Sequence, residues 1–185
     1  SVIALGTWGL GGGSVWTDRD STVEDTRNLL DICREYGVNY IDTAPVYGTG
    51  ASEELLGRAL KGRRQDFILQ SKCSLNWRNE GGNFHYERDG YTVNNDTRAA
   101  AVKKDVEDSL RRMQTDYLDY YLLHSVGGGE GIKTFHDRYI DNGVLDFLLK
   151  EREEGRIRNL GWSFHGSVEA VSYTHLRAHE TEADL

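Results

Sequence analysis

Proline, methionine and cysteine are the scarcest side chains in these 185 residues, with one, one and two copies. The lone proline, Pro45, leaves no proline-rich linker that would divide the chain. Cys33 and Cys73 stand apart, with no C-x-x-C pair and no clustered histidines, so no zinc-ligand pattern is present. A single bridge between them stays open. No apolar run approaches the ~20 residues that cross a bilayer. The chain opens in strand-like sequence, "SVIALGTWG", with nothing resembling a leader, and a reducing cytoplasm is the expected compartment. An excess of basic residues is lacking too. The net charge of -8 argues against nucleic acid or an anionic membrane as the main partner, while leaving room for a local cationic pocket.

What is present suits one soluble globular domain. Hydrophobic residues make up 38% of the chain and mixed charges 28%, enough to build a core and too patterned for disorder. The element order is strand, helix, strand, helix. "SVIALGTWGL" reads as a strand. "STVEDTRNLLDICREYG" reads as a helix with a Ser21–Glu24 capping box, an apolar stripe of Val23, Leu29, Leu30 and Cys33, and a stop at Gly37. "VNYID" is a second strand, "SEELLGRALKG" a helix capped by Ser52, and "DFILQSK" a third strand. After a long loop, "DTRAAAVKKDVEDSLRRMQTDY" puts Val102, Val106, Leu110 and Met113 on one helical face. "YLDYYLLH", a second long loop, "VLDFLLKEREEG" and "RIRNLGWS" complete the series as strand, loop, helix and strand.

Repeated strand–helix units without hairpins mean parallel strands joined by crossover helices. A doubly wound sheet and a (β/α)8 barrel both satisfy that order. Five strands fall short of a complete barrel, which takes ~250 residues. An incomplete barrel is therefore one of two fold classes to be distinguished.

The stretch "NYIDTAPVYGTG" places Asp42 at the end of strand two and Tyr47 just past it. Lys72 ends strand three, His124 ends strand four and Ser163 ends strand five. In a parallel barrel all these ends open on one face, where active sites form. Each residue alone has an ordinary structural explanation, such as a turn aspartate, a rim tyrosine or a snorkelling lysine. Their joint position favours a site. A free tyrosine is a poor acid at neutral pH, and a neighbouring ammonium favours its phenolate. Lys72 could supply that charge, Asp42 could orient Lys72, and His124 could donate to the same substrate oxygen. The chemistry is proton donation from Tyr47 to a carbonyl oxygen, with hydride from elsewhere. A metal-dependent hydrolase using Asp42, His124 and His165 fits less well, because it lacks paired histidines at a strand end and gives Lys72 no task.

The segments "GTWGLGG" (6–12), "IDTAPVYGTGASEELLGRAL" (41–60), "QSK" (70–72), "SLRRMQTDYLDYYLLH" (109–124) and "EGRIRNLGWSFHG" (154–166) resemble, in order, the aldo-keto reductase family. That resemblance implies a (β/α)8 barrel of TIM type, here with about five of eight strand–helix units. It also implies NADPH or NADH as cofactor and a small carbonyl compound as substrate. Asp42, Tyr47, Lys72 and His124 take the catalytic positions. Thr7 and Trp8 would lie beside the nicotinamide or substrate, with Asp42 close by, and Ser163 would bond the carboxamide. Phe164 stands where the family commonly has Asn, which weakens one cofactor contact. The matched segments define a partial barrel over 1–170. "SYTHLRAHETEADL" looks unrelated to the family, so residues 171–185 are read as a separate tail and His175 and His179 are left out of any site. The family's remaining strands carry most contacts to the adenosine end of the cofactor, so a catalytically inactive barrel fragment is the alternative reading. The glycine-rich stretches "GLGGGS" and "GGGEG" lack the spacing of dinucleotide or phosphate loops and read as connecting loops.

Overall fold

The computed structural model describes residues 1–11, 21–73, 85–88, 91–94, 99–127 and 131–168. The expected tail at 171–185 lies outside them.

Strand β1 (Ala4–Gly6) leads to helix α1 (Val23–Glu35). The capping box is one residue later than expected: the Thr22 hydroxyl accepts from Asp25 N at 3.1 Å, and Asp25 Oδ2 accepts from Thr22 N at 2.9 Å. Thr22 has the extended backbone a cap requires, and this start turns Thr26 and Leu30 into the core. The helix ends as anticipated, with Gly37 at φ 73° and its N–H on Arg34 O. Strand β2 (Tyr40–Asp42) is followed by a 3-10 turn, Tyr47–Gly50, and helix α2 (Ala51–Ala59). Ser52 is not the cap of this helix. Gly50 holds that position at φ 88°, and the Ser52 hydroxyl is engaged across the fold with Thr7 and Thr43.

Strand β3 (Ile68–Lys72) precedes a hairpin of β4 (His85–Arg88) and β5 (Tyr91–Asn94), paired antiparallel from His85↔Asn94 to Arg88↔Tyr91. The expectation of no hairpins fails here. The Asp89–Gly90 dipeptide between the strands is the usual signal for a two-residue connection. Helix α3 (Ala99–Arg112) buries Val102, Val106 and Leu110, and Met113 just past its end, as its periodicity requires. Strand β6 (Leu118–Val126) runs two residues past His124. The second expected loop contains a short helix α4 (Ile132–Phe135) running into a π-helical turn, His136–Ile140. Tyr139 from that turn is buried, and its hydroxyl donates to His124 O at 2.7 Å. Helix α5 (Val144–Glu153) and strand β7 (Ile157–Phe164) follow, with Gly155 at φ 82° between them.

The five long-range strands form one sheet in the order β1-β2-β3-β6-β7, and every pairing is parallel. Sequential order without reversal decides between the two fold classes. A doubly wound sheet changes direction at a switch point, whereas a barrel adds each strand to the same side. Ile41, Leu69, Tyr121 and Ile157 from the strands join Leu30, Leu56, Val106 and Leu148 from the helices in one buried cluster. Helices α2 and α3 meet where Gly57 faces Arg112: a Cβ on Gly57 would lie 2.3 Å from Arg112 O.

At the opposite end from the strand termini that carry Asp42 and Lys72, Asp119 joins three strands. Its carboxylate accepts from Leu69 N at 2.9 Å, Arg64 Nη2 at 2.8 Å and Arg158 Nη1 at 2.9 Å. Both guanidiniums also lie over the Tyr117 ring.

Candidate active site

Register brings the polar residues together. Asp42 pairs with Gly6 on one side and Gln70 on the other, and Lys72 pairs with Leu122, so the last residues of β1, β2 and β3 lie toward one rim, beside the middle of β6. Lys72 is buried, with its ammonium ion-paired to Asp42 Oδ1. The ammonium also donates to Thr43 O at 2.7 Å and to the Tyr47 hydroxyl at 3.2 Å. It sits 4.7 Å from the Tyr47 ring centroid. Because Lys72 donates into the phenol oxygen, the phenol hydrogen is directed elsewhere, and negative charge developing on that oxygen meets a cation already in place.

His124 is buried on β6, with Nδ1 3.3 Å from Cys73 O. A carbonyl only accepts, so this bond places the ring hydrogen on Nδ1 and leaves Nε2 as an acceptor. The expected donation from His124 to a substrate oxygen requires the other tautomer and the loss of the Cys73 bond. Burial, with help from the Lys72 ammonium and His165, pulls the His124 pKa down to about 3, against the opposing pull of the Cys73 carbonyl. The imidazole is neutral at ordinary pH.

Ser163 is placed by a local irregularity. The β6–β7 register shifts between Leu123 and Val126, Ser125 adopts φ 57°, and its N–H is taken up by Ser163 Oγ at 3.0 Å. Ser163 accepts that bond, and among the described residues its own hydroxyl hydrogen has no acceptor. Phe164 packs on Gly127, where a Cβ would lie 2.4 Å from the ring. Thr7 is buried and spends its hydrogen on Asp42 O at 2.9 Å, so it braces the site from behind. Trp8, by contrast, is exposed at the rim.

Several supporting residues carry no local sequence signal. Gln70 Nε2 donates to Asp42 Oδ1 at 2.5 Å, and Gln70 Oε1 accepts from the Tyr40 hydroxyl at 2.6 Å. Burial, Tyr120, Asp42 and Asp119 together push the Tyr40 phenol up to about 12, which keeps it a donor. The amide of Gln70 is thereby turned with its NH2 toward Asp42. Ser52 links Thr7 and Thr43, with Oγ 2.9 Å from Thr7 Oγ1 and 3.0 Å from Thr43 Oγ1. Glu53 receives Ser71 Oγ and Arg112 Nε, each at 2.6 Å. Burial lowers the Arg112 pKa, but Glu53, together with Asp108 and Asp105, outweighs it and the net shift is upward.

Both cysteines are free thiols. No helix among the described residues is long and apolar enough to cross a membrane.

The profile of the aldo/keto reductase family matches residues 2–182. The chain belongs to that family. It is 41% identical over 128 residues to the aldo-keto reductase YhdN of Bacillus subtilis, covering 67% of this chain and 34% of that protein. It is 32% identical to the NADH-specific methylglyoxal reductase of Escherichia coli over 87% of this chain and 47% of that one. An aldo-keto reductase of Bacillus halodurans solved in its holo form superposes with a TM-score of 0.63 at 34% identity, over 88% of this chain and 45% of that structure. A Klebsiella pneumoniae aldo/keto reductase solved with NADP and acetate gives 0.63 at 30% identity, over 91% and 47%. This aldo/keto reductase chain thus spans between a third and a half of those relatives' length, and its five parallel strands are those of an incomplete (β/α)8 barrel.

Proposed function

We propose that this chain carries the proton-donating site of an NAD(P)H-dependent carbonyl reductase. One observation carries the reading: a buried ammonium, ion-paired to Asp42, lies 3.2 Å from the Tyr47 hydroxyl. The substrate is an aldehyde or ketone, and the product an alcohol. A reduced nicotinamide, when bound, supplies the hydride to the carbonyl carbon. Tyr47 gives its hydroxyl proton to the carbonyl oxygen, and the phenolate left behind is held by Lys72 until solvent restores the proton. Asp42, oriented by Gln70, keeps Lys72 in place.

The chemistry of the donor set fits the nicotinamide end of the cofactor. Among the described residues the Ser163 hydroxyl hydrogen has no acceptor and would suit a carboxamide oxygen, and Trp8 offers an exposed ring at the same rim. The relatives' names support the cofactor class, since one is NADH-specific and one was solved with NADP.

A second reading has a specific observation in its favour. Among the described residues, strands β1 and β7 each have one partner in the sheet, and the chain spans under half of several relatives. On that reading the site residues are present but the cofactor is not held. Titrating NADPH against the 185-residue chain and following nucleotide fluorescence separates the two. Micromolar binding, with alcohol formed from an added aldehyde, supports the reductase. No binding up to millimolar nucleotide supports the inactive fragment.

A further inference from the structure

Glu53 and Arg112 form a buried ion pair behind the rim, with side chains 0% and 2% exposed. Neither is among the residues placed at the reacting atoms. Replacing such a pair by well-packed apolar residues is often neutral for stability, so fold stability alone explains it poorly. Its contacts lead instead to both arms of the site. Glu53 Oε1 accepts from Ser71 Oγ at 2.6 Å, and Ser71 immediately precedes Lys72 on β3, on the opposite face of the strand. Arg112 Nη2 rests on Ser109 Oγ at 3.3 Å, and the Arg112 side chain packs under Gly50: a Cβ there would lie 3.2 Å from Cδ and 3.4 Å from Nε. Gly50 closes the 3-10 turn that begins at Tyr47. One carboxylate–guanidinium pair therefore bears on the strand that carries the lysine and on the turn that carries the tyrosine.

We propose that Glu53 and Arg112 are positioning residues that set the separation of Tyr47 from Lys72, acting through Ser71 and Gly50. This rests on the carbonyl-reductase reading for its consequence in turnover, but not for its geometry.

The test uses the 185-residue chain with 13C-labelled tyrosine, the Tyr47 ring signal being assigned from Tyr47→Phe. The double variant Glu53→Leu/Arg112→Met removes both charges while keeping apolar volume. The expected result is an unfolding midpoint no lower than that of the parent, with the Tyr47 signal displaced toward its position in Lys72→Met. Turnover falls by about 10²-fold with KM unchanged, the scale of a misplacement near 1 Å. A folded double variant whose Tyr47 signal stays at the parent position overturns the proposal, whatever its activity. If the double variant does not fold, Ser71→Ala severs the strand arm alone and is read by the same signal. A parent chain that forms no alcohol counts against the reductase reading, while the tyrosine signal still decides the positioning role.

Discussion

The Lys72 ammonium donates to the Asp42 carboxylate, to Thr43 O at 2.7 Å and to the Tyr47 hydroxyl at 3.2 Å. These three acceptors account for its three hydrogens, and they fix its direction from three sides. Lys72→Met keeps the stem volume and deletes the charge. It is expected to lower turnover by roughly 10²–10³-fold, as removal of one preorganised donor does. It should also cost about 1–3 kcal/mol, because Asp42 keeps only Gln70 and partial solvent. Urea unfolding and turnover measured on the same preparation check both effects.

His124 predicts an acid-labile fold. Its pKa is lowered to about 3 in the folded chain, against an unfolded value near ~6.5. Between those values the unfolded chain binds a proton that the folded chain refuses, so stability falls as pH drops from ~6.5 toward 3. The slope is up to about 1.4 kcal/mol per pH unit from this group. His124→Gln, which cannot titrate, should flatten that part of the stability-against-pH curve, and an unchanged curve would remove His124 as its source.

Asp119 predicts a stability loss with no direct link to chemistry. Its carboxylate receives Leu69 N and two arginines at the far end of the sheet. Asp119→Ala takes the carboxylate from Arg64, which keeps the Phe67 and Tyr117 carbonyls, and from the exposed Arg158, and leaves Leu69 N without this acceptor, so it should cost about 1–3 kcal/mol. Denaturant unfolding of Asp119→Ala beside Asp119→Asn measures this, with Asn recovering part of the loss through its remaining carbonyl.

The strand series, the α3 face and the strand-end positions of Asp42 and Lys72 were legible because each is a local pattern: apolar runs, helical spacing, or a polar residue closing a strand. Boundaries were less legible. Thr22–Asp25 and Ser21–Glu24 offer similar capping chemistry, and only the packing of Thr26 and Leu30 chooses between them. Ser52 looked like a cap because its partners, Thr7 and Thr43, are brought to it by the sheet. Gln70, Glu53 and Arg112 gave no signal, since a buried charge reads as a surface charge until its partner, 59 positions away for Glu53 and Arg112, is known. The antiparallel pair 85–88 and 91–94 was missed although the Asp89–Gly90 dipeptide between the two segments was visible in the sequence.

Tyr47→Phe tests the central claim most directly. The substitution removes one oxygen and leaves the ring beneath Lys72, so the fold should be retained. With NADPH and an aldehyde supplied, alcohol formation should drop by roughly 10²–10⁴-fold relative to the parent chain. Equal turnover by the two would mean that the proton reaches the carbonyl oxygen from another group.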